Sequence, residues 1–418
     1  MHYFQFKGKE LYAEEIPVKK LAQRFGTPLY IYSQKTIERH VKAYKEAFRD
    51  TEHIICYAVK ANSNLSILRL LGRSGCGADV ISGGELFRAL KAGIRPERIV
   101  YAGVGKTGEE IKYAIKSGIL MFNVESSEEL KEINRIAGIL KEKAPVALRV
   151  NPDIDAKTHP YISTGLKKHK FGIPMEEALE NYLLVRELKN IEIKGIHKHI
   201  GSQITEVKPF VDGLKSLLIL VDELSLHGIR IKYIDMGGGL GIPYKDEEPP
   251  HPSELAREVK KLLKGRNLTL IVEPGRSIIG NAGILVTKVL YHKRTKEKNF
   301  IIVDAGMNDL IRPTLYGAYH EIVPVERNNK EKIIADIVGP ICESGDFFAK
   351  DREIETPKQG DLLAIMSAGA YGFSMSSNYN SRPRSAEVLV KGKQAVLIRK
   401  RETYQDLIRG ERFGGYYQ

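Results

Sequence analysis

Between about residue 54 and residue 277 the chain alternates short apolar runs rich in β-branched residues with longer segments whose apolar positions recur every three or four residues. The short runs predict eight strands, at 54–60, 78–82, 98–102, 120–124, 146–151, 191–200, 231–236 and 268–273. The longer segments predict helices: Phe210, Leu214, Leu217, Leu218, Val221 and Leu224 fall on one stripe. Gly93, Gly118, Gly228 and Gly265 follow such segments, where a left-handed C-cap is wanted. Strand, helix, glycine and strand again is the βα repeat, and eight strands close a parallel barrel. The expected fold is α/β, with a (β/α)8 TIM-like barrel over residues 36–280.

After Ser277 the pattern changes to β-rich stretches at 284–292, 299–304, 332–338, 361–366, 386–391 and 394–400, separated by Gly, Pro and Asn. No long helical stripe interrupts them, which predicts a second, mostly antiparallel β domain. Leu29 to Tyr32, ahead of the barrel, is expected to join that sheet. The domain would then be discontinuous, comprising residues 1–35 and 281–418.

Composition narrows the class. A chain of 418 residues, 42% hydrophobic and 28% charged, can bury a large core and is neither fibrous nor disordered in character. No apolar run is long enough to span a bilayer and the first residues lack a signal-like apolar core, so a cytoplasmic protein without membrane contact is expected. Cys56, Cys76 and Cys342 are too scattered for a disulfide framework or a zinc site. The net charge of +13 raises nucleic acid as a partner, but basic and acidic residues alternate, as in Lys141-Glu142-Lys143, and no nucleic acid is expected. The charge favours an anionic substrate.

Candidate chemistry gathers at the predicted strand ends. Lys60 closes the run that holds Ile54, Ile55, Tyr57 and Val59, which puts an amine at the C-terminal end of a barrel strand. Gly237, Gly238 and Gly239 follow the seventh strand, where backbone N–H groups free of any Cβ can converge on a phosphate. Glu273 ends an apolar eighth strand, where an ionised carboxylate needs a cationic partner, and a protonated pyridine nitrogen would serve. His197 and His199, two apart on a strand, face one side and could suggest metal ligation, yet no carboxylate or third histidine follows at suitable spacing. No metal is expected; His199 stacked on a flat cofactor, with Ser202 reaching its phosphate, suits a barrel mouth better. Together these groups describe a site for a phosphorylated aldehyde cofactor.

The segments Tyr57 to Asn62, Gly75 to Leu86, His197 to Gln203, Gly237 to Gly239 and Glu273 to Arg276 resemble the fold-type III pyridoxal-phosphate-dependent decarboxylases, which pair an alanine-racemase-like barrel with a C-terminal β domain. Asp304 to Gly306, Arg312 to Tyr316, Gly339 to Asp346, Gly369 to Gly372 and Asn380 to Arg384 narrow the resemblance to the members that act on meso-2,6-diaminopimelate. It runs over essentially the whole chain.

By position, the resemblance implies that Lys60 holds pyridoxal 5'-phosphate covalently, Glu273 contacts its pyridine nitrogen and His199 stacks behind the ring. Ser202, Gly238, Gly239, Pro274 and the Gly275-Arg276 backbone would line the phosphate side, with Asp79, Glu85 and Arg149 in support. Arg276, Arg312 and Tyr316 would bind the substrate's distal carboxylate, Glu343 its distal ammonium, and Tyr371 both substrate and cofactor. Cys342 would donate the proton, arriving from the partner subunit of a homodimer with shared active sites. The polar stretch 152–172, with Lys157, His159, Lys167, Lys168 and Lys170, would be a lid.

The implied reaction is decarboxylation of meso-2,6-diaminopimelate to L-lysine and carbon dioxide, the last step of lysine biosynthesis. An amino acid head group at both ends of the substrate calls for planar bidentate donors as well as an acid, which Arg276, Arg312 and Glu343 supply. Alternatives are decarboxylation of a basic amino acid or a carboxylated polyamine precursor, and a non-catalytic, pyridoxal-phosphate-binding regulatory homologue.

Overall fold

A computed structural model describes residues 2–154, 170–328 and 331–414. The chain divides into two compact units, one formed by Ile37–Ile279 and the other by the residues before and after that span.

The first unit is a closed parallel barrel. Its eight strands run in chain order: His53–Ala58, Gly77–Val80, Ile99–Tyr101, Met121–Val124, Ala144–Asn151, Ile191–His197, Tyr233–Asp235 and Thr269–Val272. Each pairs in parallel with the next, and Val272 sits beside Ile55 to close the ring. Cys56, Val100, Met121, Ala147 and Ile271, from five strands, form one buried cluster that plugs the interior. The helices start where the sequence offers caps: the side chains of Asn64, Ser82, Thr107 and Ser126 each accept a hydrogen bond from the first turn. Gly93, Gly118, Gly228 and Gly265 all take positive φ at helix ends.

The strands stop earlier at their C-terminal ends than periodicity predicts. The first ends at Ala58, and a 3-10 turn over Val59–Ala61 carries Lys60. The sixth ends at His197: the Lys198 N–H still donates to the Asp235 carbonyl at 2.9 Å, but the neighbouring strand then turns away at Gly237, where φ is +69°. Glu273 likewise lies one residue past Val272. The mouth is therefore built of short turns hung on strand ends.

The second unit is a β domain in which Leu29–Ser33 is a central strand, antiparallel to Gly283–Arg294 and parallel to Ala386–Lys391. Asn299–Val303 pairs in parallel with Lys332–Val338; the other pairings in this unit are antiparallel. Phe347–Glu355 and the small sheet of Phe4–Lys7, Glu10–Ala13 and Ile16–Pro17 were not expected as strands. Lys350, Asp351, Arg352 and Glu353 read as a polar loop in sequence, but successive side chains alternate faces and here both faces are exposed or half-buried, so the strand tolerates them. The core gathers Leu29, Ile31, Ile284, Val286, Ala364, Val388 and Val390.

Ile31 is fully buried between two partner strands. Ile31→Ala should destabilise the protein by about 2–5 kcal/mol, read as a lower urea midpoint.

Candidate active site

The turn after the first strand delivers Lys60, whose Nζ donates to Asp79 Oδ2 at 2.5 Å. Asp79 comes from the second strand and is fully buried. Burial, and then Glu273, raise its carboxyl above the ordinary value although Lys60 opposes the shift. Glu85, at the start of the following helix, accepts from the Ile81 N–H at 2.8 Å, and burial pushes its carboxyl up to about 7.

Glu273, Asp235 and His197 converge in the barrel interior, with one ligand-type atom from each lying within 4.8 Å of the others. Burial raises both acids, but His197 and Lys60 overcome it at Glu273 and hold that carboxyl well below the usual carboxylate range. Asp235 moves the other way: burial and the adjacent Glu273 push it well above its ordinary value. The pair thus carries one negative charge, placed on Glu273. His197 Nε2 is 3.6 Å from Glu273 Oε2, an ion-pair separation longer than a hydrogen bond. Asn123 Nδ2 donates to Asp235 Oδ2 at 3.3 Å and to Glu273 Oε1 at 3.4 Å.

Three glycines make the next wall. The Gly237 N–H donates to Asp235 Oδ1 at 2.9 Å, and the Glu273 N–H donates to the Gly237 carbonyl at 2.9 Å. A Cβ on Gly238 would stand 2.0 Å from the Glu273 carbonyl oxygen, so only glycine allows the turn to lie against the eighth strand end. His199 Nδ1 accepts from the Gly238 N–H at 3.3 Å. Burial, then Arg149 and Lys60, lower the His199 pKa well below its ordinary value, and the imidazole is neutral. Arg276 donates through Nη2 to Ser202 Oγ at 3.0 Å and through Nη1 to the Tyr244 hydroxyl at 2.7 Å. Arg149 pairs with Glu125 at 2.7 Å and lies over the Phe171 ring.

The two histidines therefore have different partners: His197 faces Glu273, while His199 faces the glycine turn. Linear spacing offered no carboxylate to His197, yet the barrel brings it two, from the seventh and eighth strands. Asp235, Asn123 and Tyr244 were missed in the sequence. For Asp235 a signal existed, since it too closes an apolar strand, Tyr233–Asp235, just ahead of three glycines.

The donor set fits a phosphorylated pyridine aldehyde. An amine stands beside a buried, ionised carboxylate, a neutral imidazole and a turn of glycine N–H groups flanked by Ser202 and Arg276. Asp79 Oδ1 and both His197 nitrogens are buried without a hydrogen-bond partner among the described residues, as expected of groups shaped around a polar ligand. A cation could also span the His197, Asp235 and Glu273 atoms, but the adjoining amine and phosphate-type cradle favour a ring nitrogen.

The β unit holds the remaining predicted residues. Arg312 is buried, and its Nη1 lies 2.8 Å from His320 Nε2, while His320 Nδ1 lies 2.7 Å from the Met366 carbonyl. That carbonyl requires Nδ1 to donate, so Nε2 accepts from the guanidinium. Tyr316 ends the short helix Arg312–Tyr316 and is half-buried. Cys342 and Glu343 are exposed; the Cys342 N–H donates to Asn380 Oδ1 at 2.9 Å. Tyr371 takes φ of +55°, an unusual backbone for a bulky residue. Of the expected lid, Lys157, His159, Lys167 and Lys168 lie outside the described residues.

Residues 34–280 match the family model for the pyridoxal binding domain of pyridoxal-dependent decarboxylases, and the fold and site accordingly define a pyridoxal-dependent carboxy-lyase. A diaminopimelate decarboxylase from Aquifex aeolicus is 56% identical over 97% of this chain and 96% of its own length. The crystal structure of diaminopimelate decarboxylase from Helicobacter pylori complexed with L-lysine is 47% identical, covers 94% of this chain and 98% of that one, and superposes with a TM-score of 0.91. The enzyme from M. jannaschii in co-complex with L-lysine is 43% identical, covers 98% of each chain and has a TM-score of 0.94. The chain belongs to the diaminopimelate decarboxylase family.

Two predictions follow from this geometry. Gly238→Ala should lower pyridoxal-phosphate affinity by about tenfold or more, through displacement of the turn, read as cofactor lost on dialysis. Lys198 is fully buried, with Nζ against Gly213 and 6.0 Å from the Phe210 ring centroid, and burial pushes its amine down from 10.5 to about 7. Between those values the unfolded chain holds a proton that the folded chain lacks, so stability falls as pH drops toward 7 and is then level in this group. At about 1.4 kcal/mol per pH unit, Lys198→Met should gain a few kcal/mol near neutrality. Thermal midpoints across this pH range should then lose that slope.

Proposed function

We propose that this chain decarboxylates meso-2,6-diaminopimelate to L-lysine and carbon dioxide as a cytoplasmic homodimer. The observation that carries the chemistry is the buried Glu273 carboxylate, ionised beside His197 and close to the amine-bearing turn. Pyridoxal phosphate, when bound, supplies a protonated heteroaromatic ring able to accept the electron pair left as the α-carboxyl departs. Glu273 keeps the proton on the ring nitrogen. Lys60 would hold the cofactor at its aldehyde carbon, and Asp79, which accepts from Nζ at 2.5 Å, would steady that amine whenever it is free. His199 backs the ring with a neutral face. Ser202, Gly238, Gly239 and the Pro274-Gly275-Arg276 segment hold the phosphate, and Glu85 and Arg149 support that wall.

Cys342 donates the proton to the α-carbon from the partner subunit and regains it from water. Arg276, Arg312 and Tyr316 bind the distal carboxylate, Glu343 the distal ammonium, and Tyr371 both substrate and cofactor. Arg312 suits this role because it is buried and its His320 partner, a neutral acceptor, orients the guanidinium. An amino acid lacking a second carboxyl would forgo the planar, bidentate contact that a guanidinium offers a carboxylate.

A carbon dioxide release assay with a panel of diamino acids, with and without added pyridoxal phosphate, tests the reading. Release from diaminopimelate should far exceed release from ornithine and should depend on the cofactor; equal release from ornithine would refute the substrate. Lys60→Ala should abolish borohydride trapping of the cofactor, and trapping on another lysine would refute the assignment of Lys60.

A further inference from the structure

Asp235 has no part in the chemistry above, yet it is fully buried and sits in a closed circuit of hydrogen bonds around the site. Its Oδ1 receives the Gly237 N–H, Gly237 in turn receives the Glu273 N–H, Glu273 Oε1 receives Asn123 Nδ2, and Asn123 Nδ2 also reaches Asp235 Oδ2. The circuit joins the glycine turn after the seventh strand to the acid after the eighth. We propose that Asp235 is a positioning residue that locks the phosphate-holding turn and the Glu273 carboxylate into one rigid unit. The inference rests on the reading that Glu273 contacts the pyridine nitrogen and the turn contacts the phosphate.

The physical reason is the shape of the cofactor. Its ring nitrogen and its phosphate lie at fixed separation on a stiff aromatic frame, so protein groups that grip both ends bind well only if their own separation is fixed. Two neighbouring strand ends, each followed by a turn, would otherwise flex independently. Only one of two carboxyls so close in a dry interior can keep a full charge. Asp235 acts as the neutral member, accepting from Gly237 and presenting its remaining proton toward Glu273. A carboxamide at the same place would keep the acceptor for Gly237 and a donor toward Glu273, losing only the long contact from Asn123 at 3.3 Å, so the role is one of hydrogen bonding rather than charge.

The test compares Asp235→Asn and Asp235→Ala in the full-length protein. The apoprotein is titrated with pyridoxal phosphate, and the absorbance of the bound cofactor is followed against pH. Asp235→Ala should lose about 10–100-fold in cofactor affinity, the range for partners of a first-contact residue, and should shift the pH at which the bound cofactor changes absorbance. Asp235→Asn should restore both to near the parent values. If Asp235→Asn is as impaired as Asp235→Ala, or if Asp235→Ala binds and titrates like the parent, the proposal is overturned. Glu273→Gln separates the two levels of the argument. If it leaves the absorbance titration unchanged, the pyridine contact itself is wrong; if it alters the titration while Asp235→Ala does not, only the role of Asp235 fails.

Discussion

An ionised carboxylate inside a barrel is the constraint around which this site is organised. Glu273 has been taken out of water at the end of an apolar strand, which by itself would neutralise it. It stays charged because His197 and Lys60 face it and because Asp235, its other neighbour, takes the neutral form. Removing any member of that set would redistribute charge among the rest, so the polar layer behaves as one group rather than as separate residues. Beneath it, the cluster of Cys56, Val100, Met121, Ala147 and Ile271 keeps the floor of the barrel apolar.

The glycine turn shows how backbone economy serves the same end. Gly237, Gly238 and Gly239 would each carry a Cβ into main-chain atoms of neighbouring turns, at 2.5, 2.0 and 2.4 Å respectively. The absence of side chains lets three strand ends approach so closely that their N–H and carbonyl groups bond across the mouth. Rigidity there comes from contact between backbones, which is less adjustable than contact between side chains. The site is thus positioned by strand ends and short turns, with the helices as outer support.

In the β unit the design differs. Arg312 is buried against His320, whose tautomer is set by the Met366 carbonyl. A histidine acceptor fixes the direction of the guanidinium plane through a single hydrogen bond. Tyr371 keeps a left-handed backbone that costs free energy, and Gly372 beside it lies too close to the Ala368 carbonyl to carry a side chain. Local strain of this sort is tolerable because the Ala368 and Gly369 N–H groups anchor the segment to the Gly283 and Gly280 carbonyls.

Much of the architecture is legible in the order of residues. Periodicity alone marks the eight barrel strands, the glycines that end helices, and the change to β texture after residue 277, since these depend on neighbours a few positions apart. Lys60, the three glycines and Glu273 also stand out, because an amine, a bare turn and an acid at the ends of apolar strands are locally anomalous. The ends of strands were less legible: whether a ladder continues depends on a partner strand elsewhere, as at His197 and Gly237. Phe347–Glu355 was missed because its charges face water on a strand paired at a distance. Only the closed barrel could decide that Asp235, Asn123 and His197 would surround Glu273, with Asn123 coming from 150 residues away along the chain. The charge on each acid was decided there as well, because protonation answers to distances of a few ångströms in a dry interior and is indifferent to separation in sequence.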